Sequence, residues 1–314
     1  MRSPSLLLGY IALTFAQITI SVNVITGKYL LATMPMFMLL GVRFFLSTIL
    51  LGLILKLSRT SICDPAHPEG KLNTRDWVWG VLQGFFAAFL FNVFFVWGLA
   101  NTTATAAGIV GSTLPAIIAL CAVWMLKERL SWVKISALAL AMFGILVINL
   151  DHFEGGGNLQ HSYIGDFLIF LAMIPEAWYS ILSRKLAGRM TPLGAAFVAN
   201  LVGCITLVPC ALFSTGFEWE IYSASEAGLL IIAALSSVIF YWAWGWGLTF
   251  IPASTAAVFG GVMPVATTLL ALYFLQETLG WYDIIGMGCV VGSILLGAGL
   301  LPFRRKSLEQ PAVD

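Results

Sequence analysis

The chain has 314 residues, 60% hydrophobic and 10% charged, with 16 basic residues against 15 acidic and a mean hydropathy of +0.94. A water-soluble domain carries roughly a quarter charged residues, so a soluble globular fold is excluded, and a net charge of +1 offers no polycationic face for nucleic acid. The five cysteines (Cys63, Cys121, Cys204, Cys210, Cys289) show no CxxC spacing and four lie in apolar runs, which argues against a disulfide framework or a zinc site.

A helix crossing a bilayer needs ~20 consecutive apolar residues. Cutting the chain at charge clusters and at Gly, Pro and Asn turns leaves ten such runs, at about 6–27, 35–55, 77–98, 104–126, 131–149, 164–183, 192–213, 227–249, 253–275 and 280–301. The first follows one Arg and has no small-residue cleavage pattern, so it is read as a span and not as a signal peptide. The connections 56–76 and 150–163 are polar and belong in water. The expectation is an all-α membrane protein of ten transmembrane helices.

Ten spans put both termini on one side. Fourteen of the 16 basic residues fall on that side: Arg2, Lys56, Arg59, Lys71, Arg75, Lys127, Arg129, Lys134, Arg184, Lys185, Arg189, Arg304, Arg305 and Lys306. The opposite side has Lys28 alone, and Arg43 lies inside a span. An excess of Lys and Arg marks the cytoplasmic side. Both termini are therefore expected in the cytoplasm, with the protein in the cytoplasmic (inner) membrane.

Residues 126–132 read LKERLSW and residues 275–281 read LQETLGW, 149 positions later. The same offset aligns GLANTTATAAGIVGSTLP (98–115) with GLTFIPASTAAVFGGVMP (247–264), matching Gly111 to Gly260 and Pro115 to Pro264. An internal repeat of about half the chain follows, dividing it into 1–150 and 151–314. Each half holds five spans. An odd number inverts the second half, so the turn at Glu128 is expected in the cytoplasm and the turn at Glu277 outside. The second copy replaces Lys127 and Arg129 with Gln276 and Thr278, as an external turn permits. The paired Glu residues are read as helix-end residues. Inverted repeats of this kind build many secondary transporters.

The pattern of a small-residue run, a mid-helix Pro, an apolar stretch and E-x-L at a turn, given twice, resembles the EamA-type families of the drug/metabolite transporter superfamily. GVRFF (41–45) is similar to that family's Arg-Phe signature. The resemblance covers nearly the whole chain. It implies export of amino acids or related metabolites, with sugars and nucleotide-type solutes as alternatives. It also implies a central cavity lined by the first four helices of each half, with the fifth and tenth packed peripherally. Pro192 stands at the second-half position equivalent to Arg43, a departure that makes any role of Arg43 one-sided.

Ionisable groups inside a bilayer are costly, so each is a functional candidate. Two lie deep: Arg43 and Glu176, roughly 12 and 18 Å below the external side at 1.5 Å per residue. Two readings are open, and they can coexist. One is a structural ion pair; the other is substrate binding or proton coupling. Pro175 next to Glu176 suits a cavity wall. Gln17 and Asn200 fall near mid-depth. Gln83 and Asn92, nine positions apart, lie on opposite faces of their helix. Tyr241 and Trp242 are candidate pocket aromatics, while Trp246 is read as an interfacial ring. Gly111, Pro115, Gly260 and Pro264 are candidate hinges, since a mid-helix Pro bends the helix at the carbonyl four residues earlier. Gly288 and Gly292, and Ala137 and Ala141, have the spacing of close helix packing.

An intramembrane serine protease lacks a base, because His67, His152 and His161 all lie in loops. No Walker loop is present. No enzyme activity, cofactor or metal is implied. The expected partners are a small-molecule solute and membrane lipid, with a homodimer left open and a non-transport receptor or scaffold as the rival class.

Overall fold

Apolar runs of this length fold as helices because every backbone N–H and C=O must find a partner within its own segment. The computed structural model describes residues 4–31, 33–67, 69–102, 110–150, 163–215, 223–274 and 280–299. Its helices are α1 (Pro4–Leu30), α2 (Met36–Ser58), α3 (Thr74–Gly84), α4 (Phe91–Asn101), α5 (Leu114–Leu126), α6 (Trp132–Leu150), α7 (Tyr163–Leu186), α8 (Pro192–Thr215), α9 (Ala224–Phe250), α10 (Ala253–Phe259), α11 (Val262–Phe274) and α12 (Trp281–Gly297). Among the described residues seven helical stretches are long and apolar enough to cross a membrane, and Leu114–Leu126, Trp132–Ile148 and Trp281–Gly297 are shorter apolar helices. Among the described residues there are no strands, only isolated bridges such as Cys63 to Met190. The cysteines are free.

Local chemistry sets several helix ends. Asn73 and Asp76 form a capping box at the start of α3, and Ser223 and Glu226 form one at α9. Arg59 and Lys127 end α2 and α5 in the left-handed region, at φ 52° and 55°. Between α3 and α4 the chain passes through a π turn, Phe85–Leu90. Asn92 Nδ2 donates to the carbonyls of Ala87 and Ala88, at 3.2 and 2.7 Å, supplying partners where the wider turn leaves carbonyls poorly matched.

Two expected spans are not single helices. The run 104–126 turns at Ser112 and Thr113 before α5, and the run 253–275 turns at Gly260 and Gly261 between α10 and α11. Pro115 lies in the first turn of α5, where its missing N–H costs nothing. Pro264 is the third residue of α11. Each proline therefore opens a helix after a break and does not kink a continuous one.

The helices pack in pairs. α1 lies along α9 and also meets α11; α4 and α3 lie along α7, which also meets α5; α2 lies along α8; α6 lies along α12. Glycines permit the closest crossings. A Cβ on Gly9 would fall 2.6 Å from Ile251, and one on Gly247 would fall 2.7 Å from Leu13. In the α4–α7 pair a Cβ on Gly98 would fall 2.8 Å from Ile169, and one on Gly165 would fall 2.7 Å from the Asn101 backbone.

The α6–α12 crossing sits at Gly144 and Gly286, where added Cβ atoms would stand 2.8 and 2.6 Å from the opposing glycine's carbonyl. The expected contact glycine, Gly288, has open space beside it, and Gly292 approaches only Leu140, at 3.5 Å. Ala137 and Ala141 are fully buried, as close packing requires. Outward faces carry large apolar side chains at helical spacing, such as Leu7, Ile11, Phe15 and Ile18 on α1.

Candidate functional site

The polar loop 59–73 is not loose. Asp64 N donates to Arg189 O at 2.9 Å, and Thr191 N donates to Ile62 O at 2.9 Å, tying the α2–α3 connection to the α7–α8 turn. Buried Asp76 sits behind this junction and accepts from Arg189 Nη1 at 2.8 Å and pairs with His67 Nε2 at 3.0 Å. His67, expected in a loop, is in a loop but buried there.

Beside that junction the surface opens into a cavity of about 380 Å³, whose lining includes Asp64, Arg184, Gly188, Trp246 and Thr249. Arg184 Nη1 donates to the carbonyls of Leu248 and Thr249, a cation at the carbonyl end of α9. Ala187, Pro192 and Thr249 also line a narrower cleft that reaches Gln83, Ser183 and Tyr241. The cleft has about 10 Å³ of free space, room for roughly one water molecule.

Buried polar atoms around this region without a hydrogen-bond partner include Gln83 Oε1, Asn200 Oδ1 and Trp244 Nε1, whereas the Tyr179 and Ser183 hydroxyls, one helical turn apart, are placed to bond to each other. A buried orphan costs roughly 1–3 kcal/mol, so a cluster of them marks surface that is better satisfied in another state or by a ligand. Aromatic rings connect the cluster. Tyr241 meets Tyr179 edge-on at 5.6 Å and Phe44 at 6.4 Å, and Phe240 lies over Trp244 at 6.2 Å. Asn200 Nδ2 donates to Ala196 O on its own helix, leaving its oxygen free.

Arg43 and Glu176 do not form an ion pair. Arg43 Nη1 donates instead to Asn23 Oδ1 at 2.7 Å, and Arg43 Nε is unpartnered. Asn23 Nδ2 in turn donates to Ala233 O at 2.8 Å and contacts the hydroxyls of Ser236 and Ser237 at 3.2 Å. Arg43 therefore engages the Asn23 amide and not Glu176.

Of the remaining expected residues, Gln17 is buried on α1. Trp242 points outward, 38% exposed, and stacks on Trp246 at 5.9 Å; it does not line the cleft. Asn92 serves the π turn. Gly111 has open space around it, whereas a Cβ on Gly260 would come within 3.1 Å of Ala257 O. Glu128 caps a helix across the chain: its carboxylate accepts from Ala253 N at 2.8 Å, from Ser254 N at 3.1 Å and from the Ser254 hydroxyl, which also receives Lys134 Nζ at 3.1 Å. Gln276, Glu277 and Thr278 lie outside the described residues, as do His152 and His161.

Sequence reasoning missed Asn23, Tyr179, Ser183 and Trp244. The available signal was weak. Asn23 is a polar residue near the end of a span, and Ser183 directly precedes Arg184 and Lys185 at the end of another.

The model of the EamA-like transporter family matches residues 7–150 and 163–298. The uncharacterized transporter YetK of Bacillus subtilis (strain 168) is 27% identical over 291 residues, covering 92% of this chain and 86% of the relative. A protein of Streptantibioticus cattleyicolor named as a probable terminal-alkyne amino-acid exporter is 24% identical over 224 residues, covering 70% of this chain and 73% of its own length. A crystal structure 19% identical to this chain shares its fold, with a TM-score of 0.74 over 96% of this chain and 98% of the other. With the family match spanning nearly all of the described helices, this multi-pass membrane protein belongs to the EamA-like transporter family.

Proposed function

We propose that the protein exports small organic metabolites, amino acids or related compounds first, across the cytoplasmic membrane by alternating access. The observation that carries the reading is the cavity beside Arg184, continued by a narrow cleft to Gln83 and Tyr241, with unpartnered buried polar atoms around it. An opening that leads to unsatisfied polar groups and then stops is what one state of an alternating pathway requires. The named amino-acid exporter among the relatives supports the solute class.

The mechanism needs two comparable halves, 1–150 and 151–314, each of five crossing helices and opposite in orientation. The helix pairing supports this. The α1–α9 pair and the α4–α7 pair exchange under a swap of halves, as do the α1–α11 and α5–α7 contacts, while α2–α8 and α6–α12 map onto themselves. Gly98 and Gly247, matched by the repeat offset, sit at equivalent close crossings. Breaks at Ser112–Thr113 and Gly260–Gly261 also match to within one residue. The basic asymmetry supports a cytoplasmic location for the cavity side and both termini.

Within this reading Tyr241, Gln83, Ser183 and Asn200 contact the solute, Arg43 and Glu176 set the charge of the chamber, and Gln17 and Trp242 contribute to its wall only in another state. Counterflow in proteoliposomes tests the function. Amino acids preloaded inside should drive uptake of labelled amino acid, and Gln83→Leu and Tyr241→Leu should abolish it while the protein remains folded. Vesicles that exchange no organic solute, or variants that exchange at the parent rate, would sink the proposal.

A further inference from the structure

Trp79 lies in the second turn of α3, and three cations converge on its indole. The Arg75 guanidinium carbon stands 4.5 Å from the ring centroid, the Lys185 ammonium 5.2 Å and the Arg189 guanidinium carbon 5.4 Å. The ring attracts each one, but three like charges around one ring repel one another. Among the described residues the carboxylate that pairs with the cluster is Asp76, and it is committed to Arg189 and His67. Arg75 and Lys185 make no ion pair among the described residues. The site therefore carries excess positive charge on elements that the loop junction and the Asp76 contacts hold rigidly in place.

The surface next to the cluster is apolar. Trp77, Val78, Val81 and Leu82 follow Arg75 along α3, and each is more than a third exposed. Arg75, Val78 and Leu82 are three and four residues apart, so they form one stripe on the helix. A cationic head beside an apolar stripe matches the anatomy of a phospholipid, whereas a soluble phosphate would use only the head. Basic pockets between membrane helices on the positive side bind anionic lipid headgroups by this logic.

We propose that Arg75, Lys185 and Arg189, arranged around Trp79, bind the phosphate headgroup of an anionic phospholipid whose acyl chains run along Val78, Val81 and Leu82. The site needs only the protein's place in the membrane and stands independently of the transported solute.

Purified protein exchanged between phosphatidylglycerol and phosphatidylcholine tests it, with retained lipid counted by native mass spectrometry. The parent protein should retain phosphatidylglycerol in preference. A basic residue near an anionic surface is worth about 5-fold in affinity, so Arg75→Gln combined with Lys185→Gln should weaken retention roughly 30-fold. Arg189 is left in place because Asp76 depends on it. The charge-retaining pair Arg75→Lys and Lys185→Arg should keep the lipid. Raising the salt should remove the preference in the parent protein, a measurement that needs no variant. Equal retention of the two lipids, a preference indifferent to salt, or full retention by the Gln pair would overturn the site. Displacement of the lipid by millimolar inorganic phosphate would overturn the lipid as occupant.

Discussion

Arg43 reaches Asn23, not Glu176: its Nη1 donates to Asn23 Oδ1 at 2.7 Å, and Asn23 hands the connection to α9 through Ala233 O and the hydroxyls of Ser236 and Ser237. One amide thus joins α1, α2 and α9. Its oxygen takes the charged donor while its nitrogen donates across to acceptors on α9.

Asn23→Leu should therefore lower stability by more than one hydrogen bond. It strands Arg43 Nη1, and a buried orphan costs about 1–3 kcal/mol, whereas the Ala233 carbonyl keeps the Ser236 hydroxyl as its donor. Pairing it with Arg43→Met should recover part of the loss. Thermal unfolding of both single variants and the double variant gives the coupling, expected at about 0.5–3 kcal/mol. Strict additivity would mean that the contact contributes nothing.

Glu128→Ala removes the acceptor for Ala253 N and Ser254 N at the start of α10. Loss of a cap costs about 0.5–2 kcal/mol. Glu128→Gln, which keeps one acceptor oxygen, should lose less. A melting temperature indifferent to both changes would show that the cap is not engaged in the membrane.

Gly286→Leu drives a side chain into the Gly144 carbonyl, from which even a Cβ would stand only 2.6 Å. Overpacking typically costs about 1–3 kcal/mol, and here α6 and α12 must separate to relieve it. Gly288→Leu, next to open space, should be tolerated. The contrast is read from the yield and melting temperature of the two variants side by side.

Pro115→Ala and Pro264→Ala restore an N–H near each helix break and favour a continuous helix there. Under alternating access, turnover should slow with little change in solute affinity, and the two variants should shift inward and outward accessibility in opposite directions. Shifts in the same direction would exclude paired hinges.

Single cysteines placed at Lys127 and at Gln276, on a cysteine-free background, test the inverted arrangement. An impermeant thiol reagent should label the first from the cytoplasmic side and the second from outside. Labelling of both from one side would leave the two halves parallel.

Membrane residence and the apolar runs were legible because hydropathy is a local property that each segment carries alone. The Glu128 turn was legible as a helix-end device, although its target, the start of α10, was not. Depth along a helix can be counted from sequence, but rotation about it cannot. Counting residues puts Arg43 and Glu176 at comparable depth and allows an ion pair, whereas the packing of α1 and α9 gives Arg43 to Asn23. The same gap explains Trp242, whose outward face depends on where α1 and α8 sit. Spacing alone favoured Gly288 and Gly292, whereas the crossing of α6 and α12 selected Gly286. The breaks before Pro115 and Pro264 were hidden because hydropathy continues through them.

The π turn at Phe85–Leu90 fixes the length of this stretch of chain. A π turn holds one residue more than the α-helical path it interrupts, and each residue turns an α-helix by about 100°. Deleting any one residue between Phe85 and Leu90 would relax the turn to regular helix and rotate one flank against the other. Either Gln83 would leave the cleft it shares with Ser183 and Tyr241, or the Gly98 crossing on Ile169 would fill with a side chain. Substitution within Phe85–Leu90 is then tolerable while deletion is not, so variants of this chain that still work should differ here in residue identity but never in residue count.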